Sequence, residues 1–165
     1  NLRGETTGPY AAFLRAKANM KPTVFIGANG GMLHALDGSR GNLGGGTELF
    51  GFVPRAVIPN LPQLVERAYD HRYYVDGSPT IGDAYLNGSW RSVLVGTTGA
   101  GGRSVFALDV TRPDAFTPAN VLWELTQEDD EDIGLTIGKA SIVKLQTGEW
   151  AAVFGNGYNS ETHRA

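Results

Sequence analysis

One pattern recurs three times along the chain, and it limits the fold more than any other feature. "TVFIGANG" (Thr23 to Gly30) resembles "SVLVGTTG" (Ser92 to Gly99), and "AAVFGNGY" (Ala151 to Tyr158) resembles both. The apolar runs end on Gly27, Gly96 and Gly155, which predicts that these glycines close equivalent second strands. Beyond the loop, "LHALDGSR" (Leu33 to Arg40) resembles "VFALDVTR" (Val105 to Arg112), and "ELFGF" (Glu48 to Phe52) resembles "VLWEL" (Val121 to Leu125). Upstream, "SPTIGDAYL" (Ser78 to Leu86) has its counterpart in "GKASIVKLQ" (Gly138 to Gln146). One unit is therefore four short strands, the plan of a propeller blade of ~40–50 residues.

The expected fold is mainly β: part of a β-propeller of the quinoprotein-like kind, its four-stranded antiparallel blades interrupted by short helices. Residues 1–165 form one partial domain. An incomplete blade with helical insertions spans 1–77, a complete blade 78–126, and the start of the next blade 127–165. The strand within "EWAAVFGNG" (Glu149 to Gly157) then carries an open edge, and an isolated piece should pair edges, recruit its N-terminal segment or aggregate.

The repeat also decides how to read the glycines. A strand followed by a glycine-rich loop suggests a phosphate cradle, which needs a helix directly after the glycines. "MLHALD" alone could start one, but its partner "SVFALDV" is β-branched and aromatic and meets Pro113 too soon. The glycines are thus assigned to hairpin turns. Two helices are expected elsewhere. Pro9 suits a first helical position, with Tyr10, Phe13, Leu14 and Lys17 along one side. Asn60 and Gln63 are placed to cap a second helix over "LPQLVERAY".

Composition narrows the function. The 23 glycines are about twice the usual ~7% share, which favours turns and strands. The 14 basic and 17 acidic residues balance to −3 without a basic run, so no grip on nucleic acid is indicated. No apolar run approaches the ~18 residues of a membrane span. The absence of cysteine excludes disulfides and thiolate metal sites.

Candidate sites are few. "EDDEDIG" (Glu128 to Gly134) is the densest acidic cluster; Asp130 and Asp132 alternate before Gly134, but the closing Glu of a calcium loop is missing. It is taken as a solvated loop. In "YDHRYYVDG" (Tyr69 to Gly77), Asp70, His71 and Asp76 could suggest acid–base chemistry. Strand alternation would put His71, Tyr73 and Val75 on one side and Arg72, Tyr74 and Asp76 on the other, in a structural role. His34 and His163 carry no further signal. Trp90, Trp123 and Trp150 recur near strand positions. They could present a carbohydrate surface, although packing between blades is the commoner use. No nucleophile elbow or zinc spacing occurs. No catalytic, cofactor-binding or metal residue is assigned.

The linked blocks "HRYYVDG", "GAGGRSVFALDV" and "FGNGYNS", in this order, resemble the C-terminal β-propeller domain of the type IV pilus PilY/PilC family. The resemblance runs from about Pro22 to Ser160. It implies a large extracytoplasmic protein of a Gram-negative bacterium, found on the pilus, outer membrane or cell surface. Such a protein supports pilus assembly, surface attachment and twitching motility. Its partners would be pilins or minor pilins, with a host-cell or abiotic surface as a further target. Some members bind a regulatory calcium ion in an EF-hand-like loop; no such loop lies in these residues, so calcium would belong elsewhere in the full-length domain. The runner-up is a quinoprotein dehydrogenase, which shares the blade pattern but needs calcium and a quinone in an axial pocket. A generic periplasmic scaffold propeller is the third alternative.

Overall fold

The computed structural model describes residues 7–41 and 44–162. A helix, α1 (Pro9–Lys17), leads into three antiparallel sheets. The first contains β1 (Thr23–Gly27), β2 (Leu33–Asp37) and β3 (Glu48–Phe52). The second contains β4 (Thr80–Leu86), β5 (Ser89–Thr97), β6 (Ser104–Asp109) and β7 (Val121–Thr126), each paired with the next. The third holds β8 (Ser141–Lys144) and β9 (Trp150–Val153).

Hairpins follow the glycines, as the repeat requires. β2 begins two residues after Gly31 and β6 two residues after Gly102. The β4–β5 hairpin turns on Asn87-Gly88 with φ of 49° and 81°, the left-handed pair demanded by a tight two-residue turn. The repeat extends to an irregularity: register slips at Ala35/Leu36 in the first sheet and at the matching Ala107/Leu108 in the second.

The strand register corrects one sequence expectation. In the first sheet Leu33 pairs with Gly27, whereas its counterpart Val105 pairs with Thr97 and Gly96 pairs with Phe106. Gly27 thus occupies the place of Thr97, one residue from that predicted. Because side chains alternate, a one-residue offset exchanges the two faces of the strand. Gly96 and Gly155 do correspond, since Ile81↔Leu94 matches Ser141↔Val153. The glycines have different work. A methyl group on Gly27 would run into the carbonyl of Val75, and one on Gly96 into the ring of Phe106.

The second predicted helix is not α-helical. Residues Arg55–Val65 form successive 3-10 turns, and the chain is irregular from Glu66. Pro59 and Pro62 lie inside the segment, where each lacks the N–H that an α-helix would use. Asn60 does not cap it; its carbonyl accepts the Tyr74 hydroxyl at 3.1 Å. The first helix starts where expected, but Leu14 on its predicted apolar side is exposed and its buried residue is Ala11. Pro9 is its first residue, Tyr10 packs on Trp90, and Lys17 pairs with Asp83 at 2.5 Å.

Two apolar layers separate the sheets. Between the first and second lie Leu33, Phe52, Val75, Leu94, Phe106 and Leu108, with Phe25, Phe50 and Phe116 packed against them. Between the second and third lie Ala84, Val93, Val95, Val105, Ala107 and Ala140, with Ile142, Trp150 and Ala152 alongside.

Candidate functional site

Segments that looked chemical in the sequence prove to be straps between sheets. Residues 70–77 form no strand, and the predicted alternation fails: adjacent Tyr74 and Val75 are both buried. Glycines allow backbone to cross backbone here. Side chains on Gly27, Gly77, Gly99 or Gly101 would overlap Val75, Thr97, Asp76 or Tyr74. The Asp76 amide donates to the Thr98 carbonyl at 3.2 Å, and the Tyr74 amide to Asn29 Oδ1 at 3.1 Å. A second strap repeats the device. Gly134 N–H donates to the Asn156 carbonyl at 2.7 Å, Leu135 and Tyr158 exchange two backbone bonds, and Thr136 Oγ1 donates to the Ser104 carbonyl at 2.8 Å. Asp70 and His71 stay exposed; His71 lies between Tyr69 and Tyr73, with ring centroids 6.5 and 5.4 Å away.

The acidic loop is a turn held by its own carboxylates. Asp129 accepts the Thr126 amide and hydroxyl, both at 2.9 Å, and pairs with Arg55 at 2.5 Å. The bonds from Thr126, aided by Arg55, hold its carboxyl below the usual range. Asp130 accepts the Asp132 amide, and Asp132 bonds Thr162. Among the described residues no group of three or more His, Cys, Asp or Glu converges as a metal site would need. His34 pairs with Glu48 at 2.6 Å on the first sheet, and His163 lies outside the described residues.

The sequence reasoning missed a repeated ion pair. Asp37 and Asp109 end β2 and β6, and both are buried. Each accepts the amide two residues on, from Ser39 at 2.8 Å and Thr111 at 3.0 Å. Each also has a cation: Lys21 at 2.8 Å from Asp37, and Arg91 on Asp109. In the corrected register Lys21 and Arg91 are equivalent, each two residues before the partner of the Asp. The Lys21 bond, with those from Ser39, lowers the Asp37 carboxyl to about 2 and in turn raises Lys21. "LDGS" and "LDVT" signalled the turn; the one-residue misalignment hid the cation.

Among the clefts that the described residues form, two border candidate residues. One, of about 370 Å³, is bordered by Arg55, Asn60, Arg103 and Glu128 beside the acidic turn. Its arginines are engaged, Arg55 by Asp129 and Arg103 by Gln127 at 2.6 Å. The other, of about 300 Å³, is aromatic and lies where α1, the β4–β5 tip and the β8–β9 tip meet. Trp90 and Trp150 come together there with centroids 5.7 Å apart, while Trp123 on β7 borders a separate small hollow with Trp150.

A family model described as the PilY1 beta-propeller domain matches residues 2–164. The chain belongs to the PilY1 β-propeller family. A type IV pilus biogenesis factor PilY1 homolog of Xylella fastidiosa (strain Temecula1) is 56% identical over 158 residues, covering 94% of this chain and 10% of that protein. The type IV pilus biogenesis factor PilY1 of Pseudomonas aeruginosa (strain UCBPP-PA14) is 42% identical over 164 residues, 98% of this chain and 14% of that protein. The crystal structure of the Pseudomonas aeruginosa PilY1 C-terminal domain aligns with a TM-score of 0.75 at 39% identity, covering 96% of this chain and 29% of that one. The chain thus spans a small share of each PilY1 relative. The sheets are those of a PilY1 propeller, as the sequence resemblance implied.

Proposed function

We propose that the chain is a non-catalytic propeller module of a type IV pilus biogenesis factor, supporting pilus assembly, surface attachment and twitching motility. The supporting observation is 42–56% identity, across nearly all of the chain, to proteins named for pilus biogenesis. The module acts extracytoplasmically, on the pilus or outer membrane, with pilins or minor pilins as partners. Its blades divide at 1–77, 78–126 and 127–165, and calcium, if the full-length domain binds it, sits outside these residues.

In a piliated Gram-negative host, deleting this segment from the full-length protein should abolish surface pili and twitching while the remainder still reaches the envelope. Normal piliation would contradict the proposal. Soaking the full domain with calcium and pyrroloquinoline quinone should give no bound-quinone absorption band; such a band would restore the dehydrogenase alternative. Calorimetry should detect no calcium binding that Asp130→Ala or Asp132→Ala removes.

A further inference from the structure

The aromatic cleft has the parts of a sugar site. Two cross-strand pairs build it: Tyr85 stands opposite Trp90 in the β4–β5 hairpin, and Lys144 opposite Trp150 in the β8–β9 hairpin. Directly opposite residues share one face of their hairpin. Trp90 is the hub. Tyr10 lies 4.3 Å from it, Tyr85 5.6 Å and Trp150 5.7 Å, the last two edge-on. Trp150 also packs into the layer between the second and third sheets, so the floor is fixed by the core. The rim is different. Tyr85 is 45% exposed and Lys144 is exposed. Neither the Tyr85 hydroxyl nor the Lys144 ammonium has a partner among the described residues.

These groups select a chemistry. An aromatic cage alone would suit a cationic ligand. Lys144 on the rim opposes that and favours an anion. The one acid on the same tip, Glu149, is turned to the Thr147 hydroxyl at 2.9 Å, and Asp83 nearby is neutralised by Lys17. The volume, about 300 Å³, is at the small end of ligand pockets. The C–H face of a pyranose stacks on aromatic rings, its hydroxyls need a partner such as the Tyr85 phenol, and a ring carboxylate would pair with Lys144. We propose that this cleft binds an acidic pyranose, a sugar of the uronic-acid class, within a surface glycan. This goes beyond the pilus reading, and its test reads sugar binding, not piliation.

The test uses the full-length protein and three probes: methyl β-D-glucuronide, methyl β-D-glucoside and an acidic proline-rich peptide. Tryptophan fluorescence and calorimetry should show saturable binding of the glucuronide and weaker binding of the glucoside. Lys144→Gln should weaken the glucuronide about fivefold, the scale of one partly exposed ion pair, and leave the glucoside unchanged. Tyr85→Ala should weaken both sugars. Both residues are on the rim, so thermal unfolding of either variant should match the parent and separate lost binding from lost fold. The proposal is overturned if neither sugar binds, if both variants bind like the parent, or if the peptide is preferred to the glucuronide.

Discussion

The two layers flanking the middle sheet solve the same packing problem with different side chains. On one side rings dominate: Phe50 stacks on Phe116 at 3.8 Å, and Phe52 meets Phe106 at 5.0 Å. On the other side small residues dominate, with Val95, Val105 and Ala107 facing Ile142 and Ala152. The repeat makes the contrast direct. Phe25 corresponds to Val95 and Leu33 to Val105. The repeat therefore specifies a backbone path, a slipped Ala–Leu pair and an Asp-capped turn, while side-chain volume is fitted separately at each layer. Close packing requires this, because a void or an overlap of one methylene is already felt.

The largest test of the contrast is Phe106→Ala. The ring is fully buried in the aromatic layer, so its loss should cost ~3–5 kcal/mol in the unfolding of the full domain. A loss under ~1 kcal/mol would mean that the layer is not closely packed. Ala107→Leu probes the small-residue layer, where overfilling should cost ~1–3 kcal/mol. The same layer holds a hollow of about 60 Å³ beside Trp123 and Ala152, so tolerance of Ala107→Leu would show that it can absorb the added volume.

The paired Asp turns give a subtler comparison, read through pH. Asp37 has a folded pKa of about 2 against an ordinary 3.8. A carboxyl depressed by folding stabilises fully above its unfolded pKa and loses that contribution as pH falls through the folded value. Unfolding temperature should therefore rise with pH between about 2 and 3.8, and Asp37→Asn should flatten that rise. An unchanged acid profile would show that Lys21 and Ser39 do not act on the carboxylate. The smallest effect is expected at the helix latch. Lys17→Met breaks a pair whose lysine is 37% exposed, and should cost below ~1 kcal/mol.

What was legible in the sequence was whatever repeats locally. Strand periodicity, the α1 start at Pro9 and the linked family blocks all lie in contiguous residues. What was not legible depends on contacts between distant segments. Gly27 and Gly96 end similar apolar runs, yet one makes room for a carbonyl from the strap and the other for a cross-strand ring. The same misalignment separated Lys21 from Arg91. The amphipathic pattern after Asn60 predicted a helix, but the segment folds as 3-10 turns that end at Val65, with Glu66 extended. The aromatic cleft joins α1 to two hairpin tips, a proximity that no local pattern encodes.

The central claim is that a repeated backbone carries separately fitted interfaces, and alanine at two look-alike glycines, Gly27 and Gly96, tests it most directly. Neither has positive φ, so alanine is compatible with each backbone conformation and only packing differs. Thermal and denaturant unfolding of the full domain should show Gly27→Ala and Gly96→Ala each destabilised by ~1–3 kcal/mol. Phe106→Leu should relieve part of the Gly96→Ala penalty and none of the Gly27→Ala penalty. A Phe106→Leu change that relieves both penalties equally, or neither, would contradict the account, because the two glycines would then not serve different neighbours.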